Sequence, residues 1–154
     1  GHHHVHQLPV VRDQLLDCLV ALEPKTPPWI RICLPPVGIK DAKARLIGAC
    51  GAGPLQYLAG LDGYPTSRCL VGVYGFNLTR DQYLARVRQW MALGPDGTVF
   101  MCHPSAKAAA RDPIGAARRM ELGVLAGERY ASAWTGSGIE LARGSAIFRA
   151  RRAP

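Results

Sequence analysis

The sequence contains no CxxC pair, no apolar run of membrane-spanning length, no internal repeat and no low-complexity segment. Its cysteines, Cys18, Cys33, Cys50, Cys69 and Cys102, are odd in number and widely spaced. That excludes a disulfide framework and a cysteine zinc knuckle. Cysteines in apolar surroundings act as small hydrophobes, and unpaired thiols point to a reducing, cytoplasmic setting. A membrane helix needs about 20 consecutive apolar residues, which are not found here. No signal peptide opens the chain, an absence of little weight if the chain starts inside a longer protein. The Gly51/Gly53 pair does not follow a strand, so it is no nucleotide-binding fingerprint. Charged residues are also sparse, at 19% against 48% hydrophobic, which excludes general disorder.

What remains is a chain of 154 residues, long enough for one domain with a real core. It is too short for a complete eight-stranded α/β barrel, which takes roughly 250 residues. The net charge is +8, and half of that excess lies in residues 111–154. The chain ends in a basic tail, residues 149–154, with Arg149, Arg151 and Arg152. Such a tail can meet nucleic acid. No basic stripe interleaved with aromatics accompanies it, so a solvated terminus is expected and nucleic acid is not the expected partner.

Apolar strands alternate with helices along the chain, which predicts an α/β fold with a mostly parallel sheet. Pro9 opens a helix running to about Leu22, and the turn-rich 23–28 ends it. A short strand is expected over 29–34, stopped by Pro35-Pro36. Glycines split 41–60 into two short helices. Strands are expected at 69–74 and 98–102. Between them Thr79 and Gln82 form a capping box for a helix to about Leu93. Asp112 caps a helix to about Gly127, a second helical stretch covers 128–134, and a very short element follows at 139–141.

Three groups of residues are candidates to carry chemistry, and a fourth reads as structural. The opening run holds His2, His3, His4 and His6. In an extended segment His2, His4 and His6 share one face and can hold a divalent metal. The alternative is a purification-tag remnant, against which stand the shortness of the run and its continuation into Val5-His6-Gln7-Leu8-Pro9. His103 follows the apolar strand 98–102, where α/β folds collect their active sites, and is suited to protonate a leaving amine. A satisfied structural histidine is the bland alternative. Arg31 alternates with Ile30 and Ile32 and can bind a carboxylate or serve in packing. Arg118 and Glu121, at i,i+3 spacing on the helix after His103, read as a structural ion pair.

These stretches, in order, resemble the YdjC-like carbohydrate deacetylases. Gly1-His2-His3-His4-Val5-His6 with Leu8-Pro9 resembles the family's metal-binding strand and following helix. Trp29-Ile30-Arg31 before Pro35-Pro36 resembles its arginine strand. Thr98 to Pro104 resembles its late His-Pro-Gly strand, Arg118-Arg119-Met120-Glu121-Leu122 its Arg-x-x-Glu-Leu helix, and Gly138 to Leu141 its closing segment. The resemblance implies a distorted TIM-like (β/α) barrel, of which this chain looks like the C-terminal half. It implies a divalent metal ion, magnesium or zinc, and removal of N-acetyl groups from amino sugars or chitooligosaccharides, with a related branch tied to hopanoid biosynthesis. Carried over, His2 is the metal ligand, His103 the catalytic acid, and His4, His6 and Arg31 face substrate or support the site.

Two departures bear on that reading. Ser105 stands where the family has glycine, which predicts strain if the backbone there needs glycine's freedom. The family's early Asp-Asp motif, source of a metal ligand and the general base, is absent. A half barrel exposes strand edges, so a homodimer or a missing N-terminal half is the expected partner. The alternative function is a non-catalytic carbohydrate-binding or structural remnant of the same fold.

Overall fold

The computed structural model describes residues 4–107, 109 and 111–148. His2, His3 and the basic tail lie outside the described residues. Seven helices are present among them: α1 (Pro9–Leu22), α2 (Ala42–Ala49), α3 (Ala52–Leu61), α4 (Arg80–Leu93), α5 (Gly115–Leu125), α6 (Glu128–Thr135) and α7 (Gly144–Ile147). The strands are β1 (Cys69–Val71) and β2 (Thr98–Phe100).

The helix starts follow from local chemistry. Pro9 occupies the first turn of α1, where its missing N–H costs nothing. The Asp41 side chain accepts from the Ala44 N–H to open α2. Thr79 and Gln82 form the reciprocal capping box of α4, as expected from their spacing. α5 begins later than Asp112. That side chain instead accepts from the Ile114 N–H, a local turn that delays the helix to Gly115. At 139–141 no regular element forms, and the four-residue α7 follows instead.

β1 and β2 pair in parallel, with Cys69 opposite Thr98, Leu70 opposite Val99 and Val71 opposite Phe100. The α/β class expected from the sequence is met. The stretch expected as a strand over 29–34 lies alongside 65–70 but forms no regular ladder with it, only the isolated parallel bridge Ile30–Thr66 and scattered hydrogen bonds. A side chain interrupts the ladder there. Buried Ser67 uses its hydroxyl to accept the Ile32 N–H at 2.9 Å. Leu70 N–H then donates to the Leu34 carbonyl at 2.8 Å. Three extended segments thus lie side by side in the order 30–34, 65–73, 98–103.

This arrangement divides the core in two. Ile30 and Ile32 face Leu16 of α1 and Ala52, Leu55 and Ala59 of α3. Cys33, on the opposite face, joins a larger cluster around Leu70, Val73, Tyr83, Val87 and Trp90. Beyond β1, Gly72 (φ +95) lies so close to β2's exit that a Cβ would sit 1.9 Å from the Met101 carbonyl oxygen. Only glycine lets the two chain ends approach this closely.

Candidate functional site

The site lies where these segments end. His103 follows β2, and Tyr74-Gly75-Phe76 follows β1. His103 is 8% exposed, on the edge of the buried interior. Beneath it lies Glu121, fully buried on α5. Ala117, Glu121 and Val124 share the inward stripe of that helix, so its spacing drives the carboxylate into the core.

Glu121 binds both strand ends. The Tyr74 hydroxyl donates to its Oε1 at 2.6 Å, and the His103 backbone N–H donates to its Oε2. The Nδ1 of His103 lies 3.7 Å from Oε1. Burial and the carboxylate beside it push the Tyr74 phenol well above its ordinary pKa. The i,i+3 pairing expected between Arg118 and Glu121 is not made. Arg118 Nε donates to Asp112 Oδ2 at 2.7 Å, and its Nη1 reaches the His103 carbonyl at 3.4 Å. The helix twists Arg118 toward the partly exposed loop, while Glu121 points inward.

Phe76 caps the site in a left-handed backbone conformation (φ 62). For a bulky residue this costs on the order of 1–3 kcal/mol and is held only by its surroundings. Its ring meets His103 edge-on at 5.3 Å between centroids. Lys43 of α2 lies over the same ring at 5.0 Å and donates to the Tyr74 carbonyl at 3.1 Å. Ser105, by contrast, has no positive φ, so the strain expected there does not arise. Its hydroxyl instead donates to the Lys107 carbonyl at 2.7 Å.

The N-terminal histidines take a different form from the one expected. Val5–Gln7 is a 3-10 turn and not an extended segment, so alternation does not place His4 and His6 on one face. Three contacts impose the turn. The Gln7 side chain donates to the Ile47 carbonyl, His6 Nε2 donates to the Arg31 carbonyl at 2.8 Å, and Gly51 (φ +118) brings α3 against the Gln7 carbonyl. His4 Nδ1 lies 3.3 Å from the Cys33 thiol. Burial, aided by the charges of Arg31, His6, Lys43 and His103, lowers the His4 pKa to about 4. Burial raises that of Cys33. Both shifts favour neutral partners in this contact.

The structure therefore brings His4, His6, Arg31 and His103 into one electrostatic neighbourhood. It adds Lys43, Tyr74, Phe76 and Glu121, which the sequence reading did not single out as functional. Only Glu121 left a sequence signal: a carboxylate on the apolar stripe of its helix. Among the described residues, no three His, Cys, Asp or Glu side chains gather as a metal cage. His6 is engaged by a carbonyl, His4 faces a thiol, and the surrounding charge is positive. These residues do not fit a divalent ion as they stand. A cleft of about 400 Å³ between α4, α5 and α6, lined by Arg80, Gly123, Gly127 and Arg129, lies apart from this site.

A family model described as YdjC-like protein matches residues 1–135. No curated protein and no solved structure matches the chain.

Proposed function

The chain belongs to the YdjC-like family, which is related to carbohydrate deacetylases, and on that premise we propose that it removes N-acetyl groups from amino sugars or chitooligosaccharides. The observation that carries this reading is His103, seated at the end of β2 against a buried carboxylate. Water attacks the acetamide carbonyl, the C–N bond breaks, and acetate and a free amine leave. The amine nitrogen must gain a proton, because an amide anion is a very poor leaving group. An imidazole, with its ordinary pKa near 6.5, is suited to deliver it. His103 is that donor in this reading. Arg31 supplies positive charge beside it, His4 adds a neutral imidazole, and His6 braces the Arg31 backbone.

The family is generally metal-dependent. Magnesium or zinc belongs to this reading through the family, with His2 as its proposed ligand. Carboxylates to complete that centre, and the base that takes the proton from water, are assigned to the other half of a distorted TIM-like barrel. This chain would form the C-terminal half, joined to a preceding segment of a longer chain or to a second copy. Five free thiols support a cytoplasmic setting, and no helix among the described residues is long and apolar enough to cross a membrane.

A second reading, a carbohydrate-binding remnant without turnover, is favoured by the missing Asp-Asp motif and by side chains that do not gather as a metal cage among the described residues. Acetate release from N-acetylated chitooligosaccharides, measured beside glycan binding by calorimetry, separates the two. Release of acetate with appearance of a free amine supports the deacetylase. Binding without release supports the remnant, and neither binding nor release removes both.

A further inference from the structure

Glu121 is an expensive residue to keep. A carboxylate stripped of water costs several kcal/mol unless its oxygens are well paired, and an apolar side chain often fills such a place with no loss of stability. Here it occupies the middle of α5's inward stripe, between Ala117 and Val124, where an aliphatic residue would suit the helix. The groups it binds are not scattered. Tyr74 and His103 lie in the segments that follow β1 (Cys69–Val71) and β2 (Thr98–Phe100), and one carboxylate ties both. The same carboxylate lies beside Nδ1 of the His103 imidazole.

We propose that Glu121 is the positioning residue of this site, holding His103 with a protonated Nδ1 turned toward the carboxylate so that Nε2, on the opposite side of the ring, is the proton-donating nitrogen. The inference rests on the reading of His103 as the acid. A histidine gains a defined tautomer and orientation from such a partner, and the carboxylate favours the protonated ring. The other groups around the imidazole oppose or leave this preference unchanged. Lys43, behind the Phe76 ring, carries positive charge, and His4 with its lowered pKa adds none at neutral pH. Arg118 reaches the His103 carbonyl but is itself paired with Asp112. Tyr74 keeps its proton and donates it to Glu121, so it adds no charge. Among the described residues Glu121 is thus the anionic group placed beside the ring, and Tyr74 helps fix which way its Oε1 points.

The test is a nitrogen-resolved NMR titration of the His103 ring in the full chain, for wild type, E121Q and Y74F. In wild type, Nδ1 should carry a proton on both sides of the titration. In E121Q the His103 midpoint should fall by about one pH unit or more, because the neutral amide no longer favours the imidazolium. Y74F should change the midpoint less. A wild-type ring whose neutral form carries its proton on Nε2 would overturn the proposal. So would a midpoint that stays within about 0.2 pH units in a folded E121Q, since a purely structural Glu121 lowers Tm and leaves the titration alone. If E121Q does not fold, the wild-type tautomer decides. None of these readings uses turnover. Absence of acetate release with the expected titration would therefore remove the deacetylase reading and leave the Glu121–His103 pairing standing.

Discussion

His4 and His103 lie close enough for the charge of one to act on the other, yet their neighbours differ in kind. His4 faces a thiol and a group of cations, and its pKa falls to about 4. His103 faces a buried carboxylate, with a tyrosine hydroxyl bonded to the same Oε1. Burial keeps the His4 imidazole neutral, whereas the pairing proposed with Glu121 would favour the charged form of His103. In the proposed reading two chemically identical side chains take different roles from their surroundings, one as proton donor and one as neutral wall. The supports differ as well. The histidine turn is braced by backbone carbonyls, whereas the strand end is held by a side-chain carboxylate.

The largest expected effect tests whether the strand end is the reacting side of this pair. His103→Gln keeps size and polarity but cannot deliver a proton as an acid. Turnover should fall by roughly 10²–10⁴-fold, with Tm little changed. Acetate release and thermal melts of the same preparation check this. Normal turnover per folded molecule would place His103 among structural histidines and dissolve the contrast.

The two regions each depend on a close backbone approach at a glycine, so they can be loosened separately. Gly72→Ala forces a Cβ to within 1.9 Å of the Met101 carbonyl, and Gly51→Ala to within 2.1 Å of the Gln7 carbonyl. Both residues also have positive φ. Each change should cost about 3 kcal/mol or more in urea unfolding. Their local consequences should differ. Gly72→Ala should displace the His103 ring resonances, and Gly51→Ala should displace those of His6. The same pattern from both variants would show that the two regions move as one.

The smallest effect is one of pH. Tyr74 in an unfolded chain loses its proton near pH 10. In the fold, burial and Glu121 hold that proton to higher pH. Above pH 10 the unfolded state therefore releases a proton that the folded state keeps, and stability falls as pH rises. The fall is at most about 1.4 kcal/mol per pH unit for this residue and is absent below pH 10. Tyr74→Phe should make the alkaline slope shallower without abolishing it, because Tyr83 is shifted in the same direction. Urea melts between pH 9 and 11 measure it, and an unchanged slope would detach Tyr74 from the carboxylate.

The sequence alone determined the elements whose signals are local. Pro9 places the start of α1, and the Thr79–Gln82 capping box that of α4. The apolar runs place β1 and β2, and the position of His103 after one of them marks the strand-end site. These depend on propensity and on groups within one turn of each other, so a linear reading finds them. Tertiary structure decided the rest. It broke the 29–34 ladder with a serine 35 residues away from the N–H it serves. It turned the histidine run into a 3-10 segment through Gln7, Gly51 and Arg31. It also gave Glu121 to Tyr74, 47 residues distant, and not to Arg118 in the adjacent turn. A helix spacing says which side chains are near one another. Which of them loses its water, and what must then satisfy it, depends on the surface the helix is packed against.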